Sequence, residues 1–243
     1  MLFDVLPELA KWRIVLASGS PRRRELLAQL QLDFEVIPST FDEASLDKTQ
    51  FAEPALFVEE NARRKAAQVF ASLKSPCPLR GEARVANQSG SGGSAGLVVI
   101  GSDTVVVDGN IILEKPKSAE HAVSMLSQLS GRLHHVVSAV AIIYQQSGPD
   151  PADASGPASA QTLLFHQKTA VLLAELDQEL IKAYVATGEP MDKAGSYGIQ
   201  GLGGCLVTHI EGDYYTVVGL PLHRVCAELR ALVARQCHGS PKQ

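Results

Sequence analysis

The sequence predicts an α/β fold: a mixed, twisted sheet with flanking helices. Three observations point there. Short apolar runs with strand character alternate with segments of helical period. Two long β-rich stretches, His134 to Tyr144 and Gln161 to Ala174, follow one another with no helix between them. Asp108-Gly109-Asn110 supplies hairpin turn chemistry between Leu97–Val107 and Ile111-Ile112-Leu113. A chain of 243 residues, 45% hydrophobic and 20% charged, can bury the core of one large domain or of two closely joined lobes.

In chain order, Arg13 to Ala17 reads as a first strand and Phe34 to Pro38 as a second. Between them Glu25-Leu26-Leu27-Ala28-Gln29-Leu30 is helical, with Ser20 as N-cap and Pro21 at the first helical position, where its missing N–H costs nothing. Pro54 to Leu73 is a long helix with apolar positions at Leu56, Val58, Ala62, Ala66, Val69 and Phe70. Ala119 to Leu129 is helical, Asp177 caps a helix ending at Ala186, and Pro221 opens a last helix running to about Arg235. Residues 1–12 form an N-terminal extension, 13–235 one domain, and 236–243 a tail. The stretches 75–96 and 147–160, rich in Gly, Ser and Pro, hold too little apolar surface to offset their ordering entropy and are expected to be flexible insertions.

The formal net charge of −4 argues against a general electrostatic grip on nucleic acid or an anionic membrane, so any phosphate site must be local. No stretch is apolar for long enough to span a bilayer, and the N-terminus carries acids and a proline where a targeting peptide would not. Cys77, Cys205, Cys226 and Cys237 form no C-x-x-C pair, which fits reduced thiols in a cytoplasmic protein.

Hydroxyls and cations crowd one strand-to-helix turn, Ser18-Gly19-Ser20-Pro21-Arg22-Arg23-Arg24. A helix N-terminus disfavours cations, so three arginines there cost stability unless an anion sits among them. The turn reads as a phosphate site or, more blandly, as a solvated basic helix start. Asp103, in Gly101-Ser102-Asp103-Thr104, places a carboxylate inside a run otherwise fit for burial, where it needs a partner. It is either a structural Asp or a functional one. Glu114-Lys115, Asp42-Glu43 and Lys65 are unremarkable alone, a solvated charged face being the default. The glycine-rich run 192–204 mixes polar residues with Ala194, Tyr197, Ile199 and Leu202, and so reads as a shaped binding loop in which glycines permit close approach or positive φ. Within it, Gln200 offers the donors and acceptor that match the edge of a pyrimidine, without choosing between bases. His134-His135 lies in an alternating strand pattern and reads as a structural pair.

Four of these segments together resemble the signatures of the Maf family of nucleoside triphosphate pyrophosphatases: Leu16-Ala17-Ser18-Gly19-Ser20-Pro21-Arg22-Arg23, Gly101-Ser102-Asp103-Thr104, Leu113-Glu114-Lys115-Pro116, and Asp192 to Gly201. The resemblance runs in order from about residue 13 to 230, and the Gly-Ser-Tyr-Gly-Ile-Gln-Gly text is similar to the branch acting on dTTP and UTP. It implies an α/β structure with two lobes around a deep nucleotide-binding cleft, a homodimer, a divalent cation (Mg²⁺ or Mn²⁺) and no nucleic-acid partner. It makes Asp103 the catalytic proton acceptor and Arg22, Thr104 and Gln200 substrate-selecting, and it places Lys65, Glu43, Glu114 and Lys115 in the cleft. Joined to the phosphate turn, it implies that Ser18, Ser20, Arg22, Arg23, Lys65 and Lys115 hold the triphosphate while Glu43, Asp103 and Glu114 ligate the metal. The implied reaction is metal-assisted attack of water at the α-phosphorus, giving nucleoside monophosphate and pyrophosphate, with modified pyrimidine nucleotides as further candidate substrates. The alternatives are a nucleotide-binding module without turnover and a pyrophosphatase of the same family with another base preference.

Overall fold

The computed structural model of the chain describes residues 2–74, 95–147 and 159–237. The expected insertions at 75–96 and 147–160 and the tail at 236–243 lie almost wholly outside the described residues.

A seven-stranded mixed sheet carries the structure. The chain begins with a short helix, α1 (Leu6–Leu9), then β1 (Trp12–Leu16), α2 (Pro21–Ala28) and β2 (Glu35–Val36), which returns parallel to β1. After two 3₁₀ turns, α3 (Pro54–Lys74) leads to β3 (Gly96–Asp108), also parallel to β1. Gly109, at φ +60°, turns the chain into β4 (Ile111–Leu113), the hairpin partner of β3. Next come α4 (Ala119–Leu129) and the long antiparallel pair β5 (Leu133–Gln146) and β6 (Gln161–Leu173). The chain ends with α5 (Gln178–Ala186), β7 (Val207–Glu211) on the edge of β6, α6 (Tyr214–Val218) and α7 (Leu222–Cys237). The expected mixed sheet is present. Helices α1 and α6 and strand β7 are too short for periodicity to reveal. Residues 2–12, set apart in the sequence, bury Leu2 and Leu9 in the same cluster as Leu26 and Leu229.

Strand β3 is buried on both faces, so its sequence reads as a nearly continuous apolar run. Successive side chains point to opposite faces. Val99, Val105 and Val107 meet Phe57, Ala62, Ala66 and Phe70 of α3. On the other face, Val98 and Ile100 pack with Leu26 of α2 and Leu229 of α7, whereas Val106 packs with Leu126 of α4 and Ile181 of α5. Two groups of helices therefore cover successive stretches of one face, and the polar residues Ser102 and Thr104 lie between them.

Two local features create space for a site. On the edge of β3 away from β5, β1 pairs only as far as Ile100 and β4 pairs only from Val106 onward. Among the described residues, 101–105 have no strand partner on that edge. Gly101 also lets α3 rest directly on the strand: a Cβ there would lie 2.5 Å from the Ala62 carbonyl oxygen and 2.8 Å from the Ala66 nitrogen. Those are backbone atoms that cannot swing aside. Gly101→Ala is expected to keep the secondary structure and to lower the unfolding free energy by about 1–3 kcal/mol, the usual range for overpacking. A denaturant midpoint equal to wild type would show that α3 is not held at this distance.

Candidate active site

A cavity of about 1020 Å³ opens at the interrupted edge of β3, beyond the carboxyl end of β1, where open α/β sheets bind ligands. Every candidate site residue named from the sequence lines it: Ser18, Ser20, Arg22 and Arg23 from the turn into α2, Glu43 from the 3₁₀ turn before α3, Lys65 from α3, Asp103 and Thr104 from β3, Glu114 and Lys115 after β4, and Gln200 from the glycine-rich loop.

Asp103 is 6% exposed and shares the α3 face of the strand with Gly101. The close approach at Gly101 brings Lys65 over it, with Nζ 2.7 Å from Asp103 Oδ1 and 2.9 Å from Glu43 Oε1. Asp42, capping the turn Glu43–Ser45 through the Ala44 N–H, sets Glu43 in place. Burial, with Glu43 adding repulsion, raises the Asp103 pKa above the ordinary value of 3.8, and Lys65 and Arg23 offset part of that rise. A buried carboxylate held by one ammonium keeps its second oxygen for a proton or a ligand.

The three arginines of the turn take different surroundings. Arg22 Nη1 pairs with Asp192 Oδ2 at 3.2 Å across the cavity mouth. Arg23 turns inward and donates to the carbonyls of Gly219 and Ser102, each at 2.9 Å, and to Thr104 Oγ1 at 2.9 Å. The Ser102 carbonyl belongs to the unpaired edge of β3, so Arg23 replaces the missing strand. Burial lowers its pKa, with Asp103 and Glu43 opposing. Arg24 is exposed. Ser20 occupies the N-cap position but its side chain makes no capping bond, and Ser18 Oγ instead accepts from the Ser20 N–H at 3.2 Å. The Ser20 hydroxyl is thus spared for the cavity it lines.

Opposite the turn, Gly195 at φ +68° sits against Val106 and donates its N–H to the Glu114 carbonyl, fixing the loop to the end of β3 and the segment after β4. Tyr197 is buried, and its hydroxyl lies 2.7 Å from Nε2 of the wholly buried His134. His134 is accordingly structural. Gln200 is exposed at the loop tip, and Leu202, expected to be buried, is 57% exposed.

Residues 13–232 match the family described as Maf-like protein. The chain belongs to the Maf family. A protein of Moorella thermoacetica named dTTP/UTP pyrophosphatase is 43% identical over 213 residues, 88% of this Maf chain and 91% of the relative. One of Clostridium perfringens with the same name is 39% identical over 213 residues, 88% and 93% of the two chains. A human protein named probable bifunctional dTTP/UTP pyrophosphatase/methyltransferase is 43% identical over 229 residues. That match takes in 94% of this chain but 33% of the human one, so the Maf chain spans about a third of that relative's length.

The sequence reading missed several residues of the Maf cavity. Lys48 holds Glu114 at 2.7 Å, and Lys193 Nζ bonds Asp192 Oδ1 at 2.7 Å. Both are ordinary surface-type lysines until the fold brings them to one opening. Asn61, one helical turn before Lys65 and 1% exposed, lines the cavity with its Oδ1 unpartnered among the described residues. An Asn among apolar helix positions at 58, 62 and 66 was the available signal.

Two outcomes follow for stability. Leaving a buried acceptor unmade costs about 1–3 kcal/mol, so Asn61→Leu is expected to raise the denaturant midpoint, the cavity giving the larger side chain room. A lower midpoint would mean that the amide is satisfied in the folded protein. Burial holds His134 neutral, its pKa lowered from 6.5 to about 4. The unfolded chain binds this proton more readily, so stability is full above pH 6.5 and falls as pH drops towards 4. His134→Gln should flatten that part of the stability profile, measured by urea unfolding across the same window. A slope identical to wild type would assign the acid sensitivity elsewhere.

Proposed function

We propose that this chain is a nucleoside triphosphate pyrophosphatase acting on dTTP and UTP, releasing the nucleoside monophosphate and pyrophosphate. The observation that carries this reading is a buried carboxylate, Asp103, held by Lys65 in a cavity that also gathers the phosphate-type turn and the glycine-rich loop. The names of the bacterial relatives, which match this chain along nearly their whole length, support the substrate class.

The residues fit a hard divalent cation. Asp103 and Glu43 already converge on one atom, Lys65 Nζ, and both offer oxygens. Among the described residues no three acidic, imidazole or thiol groups cluster as a ready-made cage. Mg²⁺ and Mn²⁺ are hard cations that suit carboxylate and phosphate oxygens. Asp103, Glu43 and Glu114 are the residues that would hold it, and when bound it would supply charge neutralisation at the phosphates and a more acidic water.

The chain's own groups do the rest. Ser18, Ser20, Arg22, Lys65 and Lys115 hold the triphosphate, and Arg23 braces the site from within. The free oxygen of Asp103 accepts a proton from water as the water oxygen bonds to the α-phosphorus. The bond from that phosphorus to the bridging oxygen breaks, and pyrophosphate leaves with the electron pair. A raised carboxylate pKa makes Asp103 a better proton acceptor than an exposed aspartate. Gln200 meets the edge of the pyrimidine and, with Arg22 and Thr104, makes up the substrate-selecting positions. The setting that goes with this reading is a cytoplasmic homodimer; no described helix is long and apolar enough to cross a membrane.

A panel of nucleoside triphosphates, with phosphate and pyrophosphate detected separately, tests the proposal. Pyrophosphate from dTTP and UTP is expected, and release of phosphate alone, or of neither, would sink it. Asp103→Asn is expected to fold normally and to lose at least about a hundredfold in kcat, the lower range for a general base. Near-normal turnover in that variant would remove Asp103 from the chemistry.

A further inference from the structure

Most glycines of the loop, read from sequence as room for a ligand or for positive φ, also make room for the protein's own side chains. Of Gly195, Gly198, Gly201, Gly203 and Gly204, only Gly195 has positive φ. The others lie against the protein's own groups, and Glu189 is at the centre. Its Oε1 accepts from the Tyr184 hydroxyl and from the Gly203 N–H, both at 2.9 Å, and its Oε2 accepts from the Leu202 N–H at 2.8 Å. A Cβ on Gly201 would stand 2.5 Å from Oε2, and one on Gly203 would stand 2.4 Å from the Tyr184 hydroxyl. The Glu189 carbonyl also accepts from Lys193 Nζ at 2.7 Å, and the Lys193 stem fills the space against Gly198. The loop is thus wound around one carboxylate.

We propose that Glu189 is a positioning residue for base selection: it fixes the backbone just after Gln200, at Leu202 and Gly203, so that the exposed amide meets the pyrimidine at a set place in the cavity. The inference rests on the proposed function and adds the device that holds its specificity. Glu189 lies outside the cavity lining, and it acts through the loop rather than on the substrate. Three donors meeting two oxygens require a carboxylate. An amide at this position turns one end into a donor facing another N–H or O–H, so it keeps at most the bonds of a single oxygen. Ionisation is favoured for the same reason. Burial pushes the Glu189 pKa up, but the Gly203 and Leu202 amides, Tyr184 and Lys193 bring it net below the ordinary carboxylate value.

The test compares wild type, Glu189→Gln, Tyr184→Phe and Gln200→Ala with dTTP, UTP and CTP as substrates. Glu189→Gln is expected to behave like Gln200→Ala: KM for dTTP and UTP rises about tenfold, kcat changes less than threefold, and the preference for dTTP over CTP narrows. Tyr184→Phe, which removes one donor of three, should move the same parameters less. Stabilisation of the fold by pyrophosphate alone, read as a shift in melting temperature, should match wild type, because the turn at Ser18–Arg23 is untouched. An equal loss for all three nucleotides, an unchanged dTTP to CTP ratio, or a lost pyrophosphate shift would overturn the proposal. Should Glu189→Gln fail to fold, Tyr184→Phe decides it by the same criteria. Absence of turnover in wild type would instead count against the pyrophosphatase reading itself.

Discussion

The contact that the site depends on is between two backbones. At Gly101 helix α3 meets strand β3 with no side chain between them, and a methyl group at that point would overlap the Ala62 carbonyl. That spacing decides where Lys65 ends: next in sequence to Ala66, over the residue two positions along the strand from Gly101. A lysine and an aspartate buried separately would each be costly, since burial opposes charge. Together, at 2.7 Å, each makes the other tolerable, and Glu43 gives the ammonium a second acceptor from the solvent side. The packing of an apolar face and the placement of a reactive carboxylate are thus one constraint.

The interruption of the sheet is the second consequence of the same strand. An edge that loses its partner over residues 101–105 would leave buried backbone groups unpaired, which folded proteins rarely tolerate. Arg23 reaches in from α2 to take the Ser102 carbonyl, and with the same guanidinium bonds Thr104 and Gly219. The opening in the sheet can therefore persist without collapse. An arginine that a charge count assigns to phosphate binding also substitutes for a strand.

This division explains what the sequence could and could not convey. Long elements with a strong period were legible: α3, the β3 hairpin, the β5–β6 pair and α7 all lie within a few residues of their expected ends. So were most of the candidate residues, because four short motifs carry all of them but Glu43 and Lys65, and the cavity gathers all four. Partner choice was not legible. Whether Arg22 faces Asp192 or a ligand depends on a contact 170 residues away, and the link between Lys48 and Glu114 spans 66. The neighbours of the loop glycines other than Gly195 were not legible for a similar reason. The small size of Gly198, Gly201 and Gly203 answers to Glu189, Tyr184 and Lys193, and the sequence does not say that a carboxylate will stand beside them. Elements such as β7, with five residues on a sheet edge, have too few positions for a pattern to emerge.

Many of the charges around the cavity are paired with one another: Lys65 with Asp103 and Glu43, Lys48 with Glu114, and Arg22 and Lys193 with Asp192. A polyphosphate entering alone would draw the cations towards itself and leave carboxylates facing one another and the incoming charge. A divalent cation entering alone would do the converse to the ammonium and guanidinium groups. Arriving together, each takes the partners that the other releases. At the exposed pairs, Lys48–Glu114 and Arg22–Asp192, the exchange is inexpensive, because such pairs contribute about 0–1 kcal/mol. Only the buried Lys65–Asp103 pair resists separation. Under the proposed function, the free energy of this exchange couples nucleotide and metal reciprocally, each tightening the other's binding. The ion pairs that line the cavity are then also what make the two ligands depend on each other.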